Sequence, residues 1–360
     1  MRDQIVAKVH HGDRIGVEEA AWLFEQAPDA LLKELAGVVR ARFHPSDRAT
    51  WLTMAIINTT NVCVARCDYC AFYVLPNKPG GYLLTVDQLC ARIDKMVALG
   101  GSLVGFNGGF HPKLRVIDHA RTFQAVRKRF PDLEFFELTV AEFLYACRVS
   151  KLSNAEGASI LAAHGTKWVT GGGAEVLSPA FRLRHSPLKY TVDAYFDAQR
   201  AILDAGMGST ATMVIGFDET LAERLDHLDR LRQFQQACGG ALPSFLCWTY
   251  KPDHTALGGT EITTKDYLRW LAVSRIFLDN FKHIRTSVLT RNDDAMLGLV
   301  WGADDFDLPT EDEVTEKAGA TISLDFEHIL DTSRRLGVEP VRRAPFLLHP
   351  QTNGELRGAG

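Results

Sequence analysis

The sequence is poor in cysteine and contains no long apolar run, no basic run longer than a few residues and no linker rich in Pro, Gly or Ser. Seven cysteines in 360 residues are an odd number in a long chain, which argues against a disulfide framework. No apolar stretch approaches the ~20 residues that cross a bilayer, and the N-terminus lacks the apolar block of a secretory signal. The sequence therefore predicts a cytoplasmic protein without a membrane partner.

Charge and composition exclude two further classes of protein. The 40 Lys and Arg residues stand against 44 Asp and Glu, so the formal net charge is −4, with both signs mixed along the chain. Nucleic-acid binding needs a concentrated basic surface, and we therefore expect no nucleic-acid partner. Apolar residues form 46% of the chain, enough to bury one large core, which excludes general disorder.

From about residue 51, short apolar runs alternate with amphipathic stretches of about ten to twenty residues. Strands followed regularly by helices predict a parallel sheet, because parallel neighbours need a crossover connection. The number of strands favours a closed (β/α) TIM-type barrel over an open doubly wound sheet. We predict an N-terminal helical cap at 1–50, the barrel at 51–322 and a C-terminal helix and tail at 323–360. The predicted strands are 51–58, 102–107, 133–138, 166–170, 209–215, 242–248 and 283–289, with a candidate eighth at 297–303.

Three cysteines are grouped in the stretch NTTNVCVARCDYCAFY, which follows the first predicted strand. Reactive groups of such a barrel lie on the loops after its strands. No fourth cysteine or histidine follows Cys63, Cys67 and Cys70 at the spacing of a structural zinc site, although an incomplete zinc site stays an alternative. Three thiolates suit an iron–sulfur cube with one iron left open. The scattered cysteines are expected to be small buried residues: Cys90, Cys147, Cys238 and Cys247.

The pattern Cys-x3-Cys-x-aromatic-Cys, with Tyr69 as the aromatic residue, resembles that of the radical S-adenosylmethionine (SAM) superfamily. The resemblance implies a [4Fe–4S] cluster on the three cysteines, SAM bound to the open iron, and cleavage of SAM to a 5′-deoxyadenosyl radical. It implies an electron donor such as flavodoxin or ferredoxin. It also implies SAM contacts on successive loops, and the candidate residues are Tyr69, Gly108, Gly109, Thr139, Gly216 and Glu219.

Further segments, in order GGFHPKL, GGGAEVLSPAFRLRHSPLK, TATMVIGFDET, WTYKPDHTAL and GADDF, resemble those of radical enzymes of the menaquinone futalosine pathway. The resemblance covers nearly the whole chain and is closer to the dehypoxanthine futalosine cyclases than to the aminofutalosine synthases, on Trp248, Pro252 and Thr255. Two alternatives stay open. One is an aminofutalosine synthase or a deazaflavin (FO) synthase-like enzyme, and the other is a non-catalytic iron–sulfur electron carrier or redox sensor.

For a cyclase, the resemblance implies a nucleoside-like aromatic substrate. The radical abstracts hydrogen from C4′ of the ribose, the carbon radical attacks the benzoate ring, and loss of one electron and one proton completes a spiro product. The candidates for the base are Glu175, Asp218, His254 and Asp305. The candidates for substrate contacts are Gly172, Gly173, Arg182, Arg184 and His111. Ser186 and Lys189 match a Ser-Pro-x-Lys element of the family.

Four positions depart from the family pattern. Asn107 stands where glutamine is usual, Phe217 where histidine is usual, Lys251 where glutamine is usual, and His254 where asparagine is usual. If the usual histidine handles a proton, a chain with phenylalanine at 217 needs another group for that step, or catalyses a sister reaction.

Overall fold

The computed structural model describes residues 1–344. Residues 345–360, which the sequence analysis assigns to the C-terminal tail, lie outside the described residues. No helix of the described part is long and apolar enough to span a bilayer.

Parallel strands form the centre of the molecule. They are β1 (Arg48–Asn58), β2 (Leu103–Asn107), β3 (Glu134–Phe136), β4 (Ala211–Ile215), β5 (Ser244–Thr249), β6 (His283–Thr286) and β7 (Asp305–Pro309). They pair in the order β3-β2-β1-β7-β6-β5-β4. Their register places the N-terminal half of β1 beside β7, with Thr50 opposite Asp305, and its C-terminal half beside β2, with Asn58 opposite Asn107. The prediction of a parallel α/β barrel is confirmed.

A short segment between β3 and β4 joins the two ends of this sheet. Val140 N donates to Thr170 O at 2.8 Å on one side, and Val169 N donates to Gly208 O at 3.0 Å on the other. Residues 168–170 therefore occupy the place of the fourth strand that the sequence predicts at 166–170, with only isolated bridges. The ring of strands encloses a space whose upper end carries the loops that follow each strand.

The two faces of β1 explain why its sequence is apolar almost throughout. Leu52 and Met54 point into the barrel, where they pack with Leu103 of β2, whereas Ala55 and Ile57 belong to the core between the sheet and the helices. A strand of a parallel sheet is covered on both faces, so neither set of alternate positions is polar.

Helices surround the barrel, and seven of the fourteen in the described residues begin at a serine or threonine whose side chain accepts a hydrogen bond from a backbone N–H in the first turn. The helices are α1 (Arg2–His11), α2 (Val17–Gln26), α3 (Asp29–Arg40), α4 (Val86–Ala98), α5 (Val116–Arg129), α6 (Val140–Ser150), α7 (Asn154–Ala163), α8 (Pro179–His185), α9 (Val192–Asp204), α10 (Leu221–Ala237), α11 (Thr264–Phe277), α12 (Val288–Arg291), α13 (Glu313–Lys317) and α14 (Phe326–Arg335).

The terminal segments pack tightly against the barrel. Helices α2 and α3 both pack on α11, whose Arg269 donates to two carbonyls of α2, from Nε to Phe24 O and from Nη2 to Leu23 O, each at 3.0 Å. At the other end, β8 (Glu339–Arg342) pairs in parallel with the start of β1. Both the predicted cap and the segment after residue 322 therefore contribute to one continuous structure with the barrel.

The candidate eighth strand at 297–303 is wrong. Most of that stretch belongs to a 3₁₀-helix (Asn292–Val300), and β7 follows it. The apolar run LGLVWGA has no feature that separates a strand from a buried helical turn. The actual strand, DFDLP, contains Asp305 and Asp307, and two charged residues are not expected in a buried strand. They are accommodated because each forms an ion pair with an arginine, and that pairing is visible only in the folded chain.

Candidate active site

The loop that follows β1 brings the three grouped cysteines together. Cys63 N donates to Val74 O at 3.0 Å, which closes the loop, and Arg66 takes a left-handed conformation with φ 53° that turns the chain between two cysteines. Cys63, Cys67 and Cys70 consequently line one cavity at the C-terminal end of the strands. This is the arrangement that the sequence predicts for a metal-binding loop.

Burial governs the chemistry of these thiols. All three are free, and burial raises the pKa of Cys67 to about 12 and also raises the pKa of Cys70. A buried thiolate is costly unless a cation lies beside it, and a bound metal supplies that cation. Among the described residues, no histidine or further cysteine lines the cavity. Three sulfur donors of this kind fit an iron–sulfur cluster with one iron left open.

The glycine pair after β2 packs directly on the cysteine loop. Gly109 N donates to Thr60 O at 2.8 Å, and a Cβ on Gly109 would lie 2.8 Å from Cys63 Cβ and even closer to Val62 O. Any side chain at position 109 would therefore displace the loop. Gly108 and Gly109 both line the cavity, so their backbone is open to a ligand beside the cysteines.

The cavity has a volume of about 350 Å³ and extends from the cysteines into the barrel. Its wall is largely apolar and aromatic. Phe217 is central to it, since its ring centroid lies 5.1 Å from that of Tyr69 and 4.6 Å from that of Tyr250. A cavity of this size with a few polar groups is typical of a small-molecule site.

Glu175 is the base candidate that lines this cavity. It follows the glycine triplet, takes a left-handed conformation with φ 42°, and lies beside Gly172 and Gly173 on the wall. Lys189 Nζ is 2.9 Å from Glu175 Oε1 and 3.2 Å from Tyr69 Oη. Burial would lower the pKa of Lys189, but the Glu175 carboxylate and the neighbouring tyrosine and cysteine groups together outweigh burial and raise that pKa. The ion pair therefore connects the glycine loop to the cysteine loop.

Thr139 lines the cavity, but its hydroxyl is already engaged at the start of α6. It donates to Glu142 Oε2 at 2.7 Å and accepts from Glu142 N at 3.1 Å, a reciprocal helix cap. Burial raises the pKa of Glu142 to about 8. A contact from the Thr139 hydroxyl to SAM stays a prediction, and it would have to share a group that stabilises the helix.

Asp305 does not lie at the site that the sequence analysis suggests for it. It begins β7, at the end of the barrel opposite the cysteine loop, and is buried between Arg285, whose Nε is 2.8 Å from Oδ1, and Arg343. Burial would raise the pKa of Asp305, but the two guanidinium groups outweigh it and hold that pKa below its usual range. Its role here is an ion pair at the base of the barrel.

The other two base candidates lie on the correct loops but not on the cavity wall. Asp218 is exposed, and its Oδ1 accepts from His185 Nε2 at 2.6 Å and from Arg184 Nη2 at 3.3 Å. His254 is exposed on the loop after β5 in a left-handed conformation, with φ 60°. A role as the base stays a prediction for both residues.

The charged substrate candidates also lie outside the wall. Arg182 is buried, with Nε donating to Tyr190 O at 3.0 Å and Nη1 to Ala174 O at 3.1 Å. Arg184 pairs with Glu223 at 2.7 Å. His111, beside the glycine pair, accepts through Nδ1 from the backbone of Lys113. The structure therefore gives these three side chains local partners in the protein.

Gly216 and Glu219, predicted as SAM contacts, form a turn behind the wall. Gly216 has φ 98°, and its N–H donates to Glu219 Oε1 at 2.8 Å. Arg224 Nε donates to the same oxygen at 2.7 Å. The turn sets the direction of the following residue, Phe217, which does line the cavity.

The sequence analysis missed several polar groups on the wall. The Ser-Pro-x-Lys element of the sequence drew attention to Lys189, but nothing in the sequence indicated that Lys189 pairs with Glu175. Arg285 and Asp307, which line the cavity, come from strands whose partners are distant in sequence. Lys251 was noted only as a departure from the family pattern, and it also lies on the wall.

Two family profiles match the chain. The profile of the radical SAM superfamily matches residues 57–231, and the profile described as the CofH/MqnC C-terminal region matches residues 240–349. The first contains all three grouped cysteines and the glycine pair. The second begins just before β5 and contains Lys251.

Individual relatives agree with these profiles. The chain is 36% identical over 351 residues to a cyclic dehypoxanthine futalosine synthase of Streptomyces coelicolor, covering 96% of this chain and 88% of the relative. It is 32% identical over 324 residues to an aminodeoxyfutalosine synthase of Thermus thermophilus, covering 88% of this chain and 86% of the relative. Among solved structures, methylornithine synthase superposes with a TM-score of 0.72 at 16% identity, covering 95% of this chain and 99% of that one. That likeness supports the fold.

Proposed function

Because this chain belongs to the radical SAM superfamily, in the group that includes the cyclic dehypoxanthine futalosine synthases, we propose that it is such a cyclase. It converts dehypoxanthine futalosine to cyclic dehypoxanthinylfutalosine in menaquinone biosynthesis. The observation that carries the proposal is a loop of three cysteines at one end of a largely apolar cavity, in a chain 36% identical to a synthase of that name.

The cofactors follow from the superfamily, whose members use a [4Fe–4S] cluster and SAM. Cys63, Cys67 and Cys70 would hold the cluster, and Gly108 and Gly109 would present their backbone to SAM. When bound, these cofactors supply a one-electron cleavage that yields a 5′-deoxyadenosyl radical. The largely apolar wall excludes water from this chemistry. In it, the ring of Phe217 packs against Tyr69 of the cysteine loop on one side and against Tyr250 on the other.

Cyclisation removes two hydrogens from the substrate. One leaves as a hydrogen atom to the 5′-deoxyadenosyl radical; the other leaves the aromatic ring as a proton, and its electron would pass to the oxidised cluster. A base on the cavity wall must accept that proton. Glu175 is suited to the role because its carboxylate lines the cavity, where Lys189 Nζ holds Oε1 at 2.9 Å. The aromatic side chains hold the substrate ring over its ribose, so that the two reacting carbons meet.

The reaction needs an electron donor, and a flavodoxin or ferredoxin of the cytoplasm suits it. Arg66 is exposed in the middle of the cysteine loop, where it places a positive charge on the surface nearest the cluster. A negatively charged carrier would be attracted to that surface, and its docking would be weakened by salt.

Mass spectrometry tests the reaction directly. The anaerobically reconstituted protein is incubated with dithionite, SAM and dehypoxanthine futalosine. A product two mass units lighter than the substrate, together with 5′-deoxyadenosine, supports the cyclase. Formation of 5′-deoxyadenosine with an unchanged substrate would instead favour an aminofutalosine or deazaflavin synthase. No 5′-deoxyadenosine at all would leave an electron carrier or redox sensor, which has no need for this cavity.

A further inference from the structure

The cavity contains three basic side chains, and they differ in how firmly each is already paired. Arg285 is held by buried Asp305 and by Asp307. Lys189 is held by Glu175, which itself lines the cavity. An anionic ligand binds best to the basic side chain whose existing ion pair can be broken at the lowest free-energy cost.

Lys251, just after the end of β5, is that cation. Its side chain is 10% exposed and lines the cavity, and its partner Glu261, 2.7 Å away, lies outside the wall with a side chain 41% exposed. Exposed ion pairs contribute little stability, so Glu261 can separate from Lys251 at low cost. Glu261 also has a second cation, Arg291, at 3.8 Å.

The surroundings of Lys251 are suited to an aromatic acid. Tyr250, the preceding residue, packs against Phe217, and Trp248 of β5 also lines the cavity. An aromatic wall next to an available ammonium group matches a ring that carries a carboxylate.

We propose that Lys251 binds the benzoate carboxylate of the substrate, releasing Glu261 to solvent and to Arg291. This inference rests on the proposed function, because the futalosine-type substrate supplies the benzoate. The contact with Lys251 fixes the benzoate end of the substrate. It therefore determines which substrates are accepted and where the aromatic ring lies relative to the ribose.

Substitution of Lys251, combined with substitution of the carboxylate, tests the proposal. In the reconstituted holoenzyme, Lys251→Met and Lys251→Gln should raise the KM for dehypoxanthine futalosine about 10- to 100-fold, as expected for loss of a charge-assisted hydrogen bond. The dissociation constant measured by calorimetry without reductant should rise by the same factor. Cluster absorbance and SAM affinity should be those of the wild type.

A carboxamide analogue of the substrate provides the decisive comparison. Wild-type enzyme should bind the analogue as weakly as Lys251→Met binds the natural substrate, and the variant should lose almost nothing further with the analogue. Glu261→Gln should leave the KM unchanged or lower it, because it frees the ammonium group. Lys167→Gln, on a side chain that is 63% exposed, is the matched control and should have no effect.

The outcomes separate this inference from the function on which it rests. If wild-type enzyme cyclises the substrate while the Lys251 variants keep its KM and dissociation constant, the carboxylate contact is wrong and the cyclase stands. Additive losses in the variant and the analogue would also overturn the contact. If wild-type enzyme leaves the substrate unchanged, the proposed function itself fails.

Discussion

At the scale of single residues, the decisive contrast is between grouped and scattered cysteines. Cys63, Cys67 and Cys70 line one cavity, whereas Cys238, half-buried just after α10, packs against the hydrophobic core and contacts Gln235. Cysteines in this chain therefore fall into two kinds, and what distinguishes them in the structure is whether their side chains line the same cavity.

Replacement of each cysteine tests this contrast. Cys63→Ala, Cys67→Ala and Cys70→Ala should each abolish the brown cluster absorbance, reduce bound iron sharply and stop turnover, because each removes one of three protein ligands. Cys238→Ser should retain iron and activity. Iron analysis and visible spectra of anaerobically purified proteins provide the measurement, and a fully loaded Cys67→Ala protein would contradict the ligand assignment.

His227 shows how a buried residue links stability to pH. It lies inside α10 with Nδ1 accepting from Leu177 N at 2.8 Å, and burial lowers its pKa to about 3. In the unfolded chain a histidine pKa is about 6.5. The stability due to neutral His227 is therefore fully present above pH 6.5 and is lost progressively as the pH falls toward 3.

His227→Asn should isolate this contribution, since asparagine can accept the same hydrogen bond but cannot be protonated. Between pH 7 and pH 5, we expect the wild type to lose on the order of 2 kcal/mol more unfolding free energy than the variant. Anaerobic urea denaturation at each pH provides the values. The exposed His11, changed to Asn, is the control, and parallel pH profiles for wild type and His227→Asn would refute the explanation.

At the scale of elements, the close approach of the β2 loop to the cysteine loop is the main constraint. Gly109→Ala should impair cluster assembly, because the added methyl group would overlap Val62 O and Cys63 Cβ. Gly37→Ala in α3, where a methyl group meets nothing within 4 Å, should instead stabilise the protein by about 0.5–1 kcal/mol. Iron content and thermal unfolding distinguish the two. Normal iron content in Gly109→Ala would show that the loops can separate.

The same elements show what the sequence could reveal. The grouped cysteines and the glycine pair were predictable because their spacing along the chain is itself the signal. Asp305 became a base candidate because, in a sequence, a carboxylate next to a strand looks the same whether it faces a substrate or, as in the structure, two arginines distant in sequence. Lys251 and Lys189 could not be placed on the wall before the fold showed which loops converge.

At the scale of the whole molecule, residues that stabilise the barrel and residues that line the cavity lie at opposite ends of the strands. Buried ion pairs of Asp305 lie near the N-terminal ends of the strands, whereas the cysteines, Glu175 and Lys251 line the cavity formed with the loops at the other end. The terminal helices and β8 fasten the structure from outside. Catalytic loops on a rigid barrel can differ between relatives while the fold stays the same.

The central claim is that three cysteines hold a cluster with one iron available to SAM. Electron paramagnetic resonance of the dithionite-reduced, anaerobically reconstituted protein, recorded with and without SAM, tests it most directly. The account predicts a [4Fe–4S]⁺ signal whose g-values change when SAM is added. Identical spectra, at SAM concentrations that saturate other members of the superfamily, would contradict it.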